Sequence, residues 1–147
     1  DLGIAGKDTI LEQGRSFYEV LDLGFGKCRF ALAVKEGADF YHTYKTRRVA
    51  SKYPAVAKRY FAAKGLDVDV IKIEGSVELA PLVGLSDGIV DIVETGTTLK
   101  ENDLTVIEEF MPISARFIAN KASYQFKHNE MDAMLEALRM TLQEETK

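Results

Sequence analysis

The chain predicts an α/β fold in which helices cover both faces of a mainly parallel sheet, and three observations carry that prediction. Short runs of branched apolar residues alternate with helix-forming stretches from end to end, the pattern of βαβ units. One such run, Ile89, Val90, Ile92 and Val93, is interrupted only by Asp91 and leads into Thr95-Gly96-Thr97-Thr98, which is turn and N-cap chemistry ahead of helix formers. A length of 147 residues, 46% hydrophobic and 29% charged, suffices for one domain or two small lobes with real cores.

Taken in order, Asp1-Leu2-Gly3-Ile4 reads like the end of a buried strand entering a glycine turn, and so like an internal start. Thr9 to Gln13 offers a short helical turn that Asp8 is placed to cap. Tyr18 to Leu23 alternates as a strand and breaks at Gly24-Phe25-Gly26. Cys28 to Val34 is a second strand whose main polar interruption is Arg29; Glu36 to Thr46 has no clean period and reads as a loop. Val49 to Ser51 is short and extended. Pro54 then opens a helix along Val56, Ala57, Tyr60 and Phe61 that stops at Gly65.

Val68 to Ile73 is a strand with Asp69 and Lys72 off its apolar pattern. Ser76, after Gly75, begins a helix that it caps unless it turns to a ligand. That helix is apolar through Leu85, so it is expected to be largely buried, with an irregular turn at Pro81. Two strands follow the central loop, Thr105 to Met111 and Ala115 to Ala119, separated by Pro112. In the last segment Asn129 stands as N-cap with Asp132 three residues on, and Met131, Met134, Leu135, Leu138 and Leu142 line one helical face.

Composition excludes several classes. A formal net charge of −4, with no basic block beyond Lys45-Thr46-Arg47-Arg48, argues against a nucleic-acid binder. Cys28 is the single cysteine, which permits no internal disulfide and suits a reducing cytoplasm. His42 and His128 lack metal-ligand spacing, and no apolar run approaches membrane-spanning length.

The stretch Asp91 to Lys100 is where chemistry is expected. Hydroxyls and free backbone N–H groups at a helix start favour an anion. Asp91 and Glu94 would repel a bare phosphate, so the ligand must carry something more; sugar hydroxyls or a magnesium ion suit the acids, and a ribose phosphate suits both halves. Each feature also has a plain structural reading. Thr95 to Thr98 serve as an ordinary helix cap, Asp91 as a strand carboxylate satisfied by amides, and Lys52 and Arg59 as surface charges.

Asp91 to Lys100 resembles the phosphoribosyl-pyrophosphate loop of the ATP phosphoribosyltransferase family. Upstream, Glu74-Gly75-Ser76-Val77-Glu78-Leu79-Ala80-Pro81-Leu82-Val83-Gly84-Leu85-Ser86-Asp87 resembles that family's second signature. Asn102-Asp103 departs from the Asn-Gly of many members, a change that touches the local turn. The resemblance implies two lobes similar to type II periplasmic binding proteins, with residues 1–24 and 104–113 in a partial first lobe and residues 25–103 and 114–147 in the second. It also implies the first step of histidine biosynthesis, in which N1 of ATP attacks the anomeric carbon of phosphoribosyl pyrophosphate and pyrophosphate leaves with magnesium.

On that reading Thr95, Gly96, Thr97 and Thr98 hold the 5′-phosphate, and Asp91 and Glu78 face ribose hydroxyls or magnesium. Gly75, Ser76 and Glu94 complete the substrate-binding set, and Lys7, Asp8 and Lys52 are candidates for the pyrophosphate or ATP side. No protein nucleophile is expected. The resemblance further implies a short form without its N-terminal segment, silent as a fragment, and assembling with copies of itself and with a regulatory subunit similar to histidyl-tRNA synthetase. A solute-binding module of the same shape and a nucleobase-salvage phosphoribosyltransferase are the rivals. The second typically carries adjacent acids before Thr-Gly, whereas Asp91 and Glu94 are separated.

Overall fold

Strands form where the branched residues cluster. In a computed structural model, which describes residues 1–144, the elements are β1 (Leu2–Gly6), α1 (Lys7–Gln13), β2 (Tyr18–Asp22), β3 (Cys28–Lys35), β4 (Arg47–Ser51), α2 (Pro54–Ala63), β5 (Val68–Lys72), β6 (Gly88–Val93), α3 (Thr97–Glu101), β7 (Leu104–Ile113), β8 (Ala115–Ala119), α4 (Lys121–Phe126) and α5 (His128–Glu144). A single 3-10 turn, Val77–Leu79, stands between β5 and β6. The chain divides into two compact units, Asp1–Lys27 with the chain from Ile113 onward, and Cys28–Pro112.

The first unit is built on a three-stranded sheet ordered β1-β8-β2. Both pairings are antiparallel, with Leu2 opposite Ala119 on one side of β8 and Tyr18 opposite the same residue on the other. Leu23, Phe117 and Leu135 form its buried core, with Val20, Leu138 and Leu142 packed around them. The second unit carries a five-stranded sheet ordered β5-β4-β6-β3-β7. Here β4 runs parallel to β5 and β6, while β3 runs antiparallel to β6.

The second unit's central strands are buried on both faces, as their unbroken apolar runs require. One side packs Ala31, Ala50, Val77, Ile89, Val93, Leu99 and Leu104 together. On the other, Phe30 stacks on Phe110 at 5.8 Å between ring centroids, and Phe40 meets Phe61 at 5.9 Å. Fully burying a side chain such as Phe30, Leu32 or Ile89 stabilises by about 1.5–3 kcal/mol each. Gly88 has a packing reason: a Cβ there would lie 3.1 Å from the Ala33 carbonyl oxygen and 3.2 Å from the Phe40 ring.

Several expectations need correction. The sheets are not mainly parallel, because apolar periodicity locates strands without giving their direction, and β8, from late in the chain, lies antiparallel between the two N-terminal strands β1 and β2. The division expected at residues 104–113 and 114–147 is also reversed. β7 hydrogen-bonds to β3 in the second unit's sheet, and β8 with the helices after it builds the first unit. The helix expected from Ser76 through Leu85 is only the 3-10 turn followed by further turns, so the stretch cannot bury one continuous face. Val77 and Ala80 are buried, but Leu79, Leu82, Val83 and Leu85 are 47%, 40%, 68% and 52% exposed.

At the ends, Gly6 occupies the N-cap position of α1, and Asp8 sits in its first turn. The asparagine cap of the last segment is Asn120, whose Oδ1 accepts from the Ser123 amide at 3.1 Å to start the unexpected α4; α5 already includes Asn129. Met131 and Leu135 are buried on the face expected for α5, but Met134 is 48% exposed.

Candidate functional site

In the second unit, three parallel strands deliver one residue set each at their carboxyl ends. Lys52 follows β4, Glu78 lies in the 3-10 turn after β5, and Asp91 sits in β6 ahead of Glu94 to Thr98. Such ends are where open α/β sheets bind ligands. Lys52, Glu78, Asp91 and the run from Ile92 to Leu99 line one cavity of about 370 Å³.

The turn at its mouth requires glycine. Gly96 has φ +79°, a left-handed conformation that costs a side-chain-bearing residue about 1–2 kcal/mol. The space around it is ordinary, since a Cβ would meet Val93 Cγ1 at 3.8 Å; the dihedral is what selects glycine. Thr95 and Thr97 hydroxyls lie 3.0 Å apart, and the Thr97 amide points at Thr95 Oγ1 at 3.4 Å. These hydroxyls and the Thr98 hydroxyl are exposed. Because α3 has only five residues, its dipole is small, and anion binding here rests on hydroxyls and turn amides.

Asp91 is half-buried, and its Oδ1 accepts from the Ile92 amide at 2.9 Å. Burial pushes its carboxyl above the ordinary 3.8, with the Glu78 charge adding to the rise and Lys52 opposing it. Lys52, exposed at the end of β4, thus faces the Asp91 carboxyl across the cavity. Two carboxylates facing one space, one of them reluctant to ionise, are suited to hydroxyl donors or a cation. No group of three or more histidine, cysteine, aspartate or glutamate side chains that could hold a metal occurs among the described residues.

The structure therefore brings together Lys52, Glu78, Asp91, Glu94, Thr95, Gly96, Thr97 and Thr98. It does not bring Gly75 or Ser76 to the cavity lining; both are exposed, and Ser76 makes no side-chain cap. Lys7 and Asp8 belong to the first unit, where Lys7 Nζ pairs with Glu19 Oε2 at 2.6 Å.

Two residues that position the site escaped the sequence. Arg29, opposite Val93 in register, donates from Nη1 to the carbonyl of Glu94 at 2.8 Å, and its Nε lies 2.6 Å from Glu109 Oε1. It anchors the start of the loop, and the signal was there: an arginine in an otherwise buried strand needs a partner. Ser51, fully buried, donates to the Val90 carbonyl at 2.6 Å and accepts from the Tyr53 amide at 2.9 Å, fastening the turn that presents Lys52.

Comparison with known proteins places this geometry. The family model described as ATP phosphoribosyltransferase matches residues 1–140. An ATP phosphoribosyltransferase of Clostridium novyi is 57% identical over 136 residues, covering 92% of this chain and 64% of that protein. One from Clostridium kluyveri is 54% identical over 144 residues, covering 98% and 66%. The chain thus spans about two thirds of the length of these relatives. Among solved structures, the ATP phosphoribosyl transferase (HisG:HisZ) complex from Thermotoga maritima matches at 38% identity and TM-score 0.87, over 98% of this chain and 71% of that one. Holo ArgBP from T. maritima, at 17% identity and TM-score 0.54 over 90% and 57%, shares the fold alone, in line with the expected likeness to periplasmic binding proteins. Sequence, fold and the loop after β6 agree: this chain belongs to the ATP phosphoribosyltransferase family.

Proposed function

We propose that the protein transfers the phosphoribosyl group of phosphoribosyl pyrophosphate to N1 of ATP with release of pyrophosphate, the first step of histidine biosynthesis. The observation that carries this reading is one cavity combining a hydroxyl-rich glycine turn with two carboxylates. A phosphate alone would not need Asp91 and Glu78, and a metal site alone would not need Thr95 to Thr98.

In the reaction the turn holds the 5′-phosphate through the Thr95, Thr97 and Thr98 hydroxyls and backbone amides. Asp91 and Glu78 accept from the ribose hydroxyls or hold magnesium carried in by the pyrophosphate, where the cation would neutralise the leaving group. Lys52 faces the pyrophosphate. The transition state gathers positive charge at the anomeric carbon, which the two carboxylates are placed to stabilise, and the remaining task is to align two anionic substrates and exclude water. No covalent intermediate is needed. Cys28, in β3 among apolar residues, has the setting of a packing cysteine rather than a nucleophile.

The relative solved as a HisG:HisZ complex supports assembly with a regulatory subunit. A cytoplasmic location accords with a biosynthetic family and with the finding that no helix among the described residues is long and apolar enough to cross a membrane.

The test supplies phosphoribosyl pyrophosphate and magnesium with ATP or with free nucleobases, with and without the regulatory subunit, and follows pyrophosphate release. ATP-dependent release is expected. Release with a nucleobase, or binding without turnover in every mixture, would overturn the reading. Thr97→Ala with Thr98→Ala should weaken phosphoribosyl-pyrophosphate binding by about 1.5–3 kcal/mol for each charged hydrogen bond lost. Unchanged affinity by calorimetry would reduce the turn to a helix cap.

A further inference from the structure

A second recess lies at the other end of the same sheet. Lys35 ends β3, Arg48 stands at the start of β4, and Ser86 and Asp87 lead into β6. These are the amino ends of parallel β4 and β6, whereas Lys52 and Thr95 to Thr98 follow their carboxyl ends. The five residues of β4, rising about 3.3 Å each, keep the two places apart. The recess has a volume of about 370 Å³, with Lys35, Lys45, Arg48 and Ser86 among its walls and Phe40 and Pro81 as apolar surface.

Its cations and acids are not equally committed. Asp39 accepts from the amides of Tyr41 and His42, at 3.2 and 3.1 Å, and meets the His42 ring. Asp87 accepts from the Arg48 amide at 2.8 Å. The Arg48 guanidinium donates to the Gly84 carbonyl at 3.2 Å and pairs loosely with Asp87, its Nε 4.0 Å from Oδ2. By contrast, the Lys35 and Lys45 ammonium groups have no ion pair or side-chain hydrogen bond among the described residues. Ser86 is 5% exposed, and its buried Oγ has no hydrogen-bond partner among the described residues. Buried hydroxyls are nearly always satisfied, so this one marks a place where a ligand oxygen or ordered water belongs. In a chain of net charge −4, two unpaired lysines beside an arginine and an unsatisfied hydroxyl form a local exception that calls for an anion.

We propose that this recess is a second oxyanion site, taking a small free phosphate or diphosphate group, with Lys35 and Lys45 supplying charge and Arg48 and Ser86 directed donors. Charge-assisted bonds to a compact oxyanion match the donor set. A concave, partly enclosed volume suits a small ligand better than the flat face of a larger partner. The site is distinct from the turn after β6 and does not depend on the reaction proposed there.

Pyrophosphate and inorganic phosphate are the probes, titrated into ¹⁵N-labelled protein with amide shifts followed by residue. Two saturable sets are expected, one at residues 84–88 and one at residues 95–98. Lys35→Met with Lys45→Met should weaken the first set at least tenfold and leave the second. Lys35→Arg with Lys45→Arg should retain both, and Thr97→Ala with Thr98→Ala should lose only the second. Both lysines are exposed, so the variants are expected to fold, and an unchanged amide spectrum without ligand checks that. The proposal is overturned if residues 84–88 show no saturable shift, or if the methionine pair leaves their shifts intact. Loss of the second set alone would count only against the function proposed for the turn after β6.

Discussion

Replacing Ser51 by alanine tests how the site is held rather than what it binds. The hydroxyl is fully buried between β4 and β6, donating to the Val90 carbonyl at 2.6 Å and accepting from the Tyr53 amide at 2.9 Å. Alanine fits the space but strands one carbonyl and one amide. A buried polar group left without its partner costs about 1–3 kcal/mol. Tyr53 is only half-buried, so water relieves part of its loss, and taking the hydroxyl out of an apolar interior gives a little back. The expected net is about 1–3 kcal/mol, or a fall in Tm of about 2–4 °C for each kcal/mol at this chain length.

The assay has two readouts. Thermal unfolding by circular dichroism gives the overall loss, and amide hydrogen exchange gives the location, since the Tyr53 amide should exchange faster while residues of the first unit keep their rates. Because the same turn presents Lys52, affinity for phosphoribosyl pyrophosphate should fall as well. A variant that melts within about 0.5 °C of the parent with an equally protected Tyr53 amide would refute the reasoning, because the two bonds would then contribute nothing.

Three further outcomes follow from the same physics. Asp91→Asn should stabilise the unliganded chain at neutral pH while weakening substrate binding: burial raises this acid's folded pKa above 3.8, so its native form loses stability as pH rises through that folded value. Melting at pH 7 and below 3.8 checks the sign, since the gain must vanish in acid. Glu108 behaves oppositely. Burial pushes its pKa up, but hydrogen bonds from Lys64 and from Tyr41, the latter at 2.7 Å, hold it below 4.5 overall, so its contribution is present above 4.5 and lost as pH falls through its folded value. Glu108→Gln should therefore destabilise by under about 1 kcal/mol at pH 7, as a partly exposed pair allows, and by nothing in acid. Gly88→Ala should cost about 1–3 kcal/mol in urea unfolding, because its Cβ would crowd Ala33, Val34 and Phe40.

Much of this was legible in the sequence. The β6 strand, the glycine turn and the α2 helix opened by Pro54 follow from local chemistry: branched residues, a left-handed position, a proline at a helix start. What local chemistry could not supply was long-range pairing. Nothing in Ala115 to Ala119 says that β8 lies between β1 and β2, or that the last helix packs on Leu23 and Phe117. The segment from Leu79 to Leu85 misled for a different reason. Its composition is apolar enough for a buried helix, but Pro81 and Gly84, with φ +75° at Gly84, divide it into turns that bury Ala80 and leave Leu79, Leu82, Val83 and Leu85 exposed. Arg29 and Ser51 look locally like an interruption and a strand end because the partners they donate to lie more than thirty residues away.

The acids beside the turn bear most on function. A glycine turn with threonine hydroxyls occurs wherever a backbone cradles an anion, and by itself it marks no particular chemistry. Burial, with the Glu78 charge, holds the Asp91 carboxyl above its ordinary range, so its ionised form is disfavoured in the fold. A group that weighs on the free protein is justified by what it does in the bound one. If the turn holds a phosphate, as proposed, the carboxylates repel that phosphate, and their benefit comes from another part of the same ligand, either hydroxyls that donate to them or a cation it carries. A sugar phosphate bearing a magnesium-bound diphosphate satisfies all three demands at once, with Lys52 left to face the diphosphate. A simple phosphate carrier would gain nothing from a buried Asp91, and a metal protein would leave Thr95 to Thr98 without purpose. On the function proposed for this cavity, the buried Asp91 therefore narrows the ligand further than the loop's glycine and hydroxyls do.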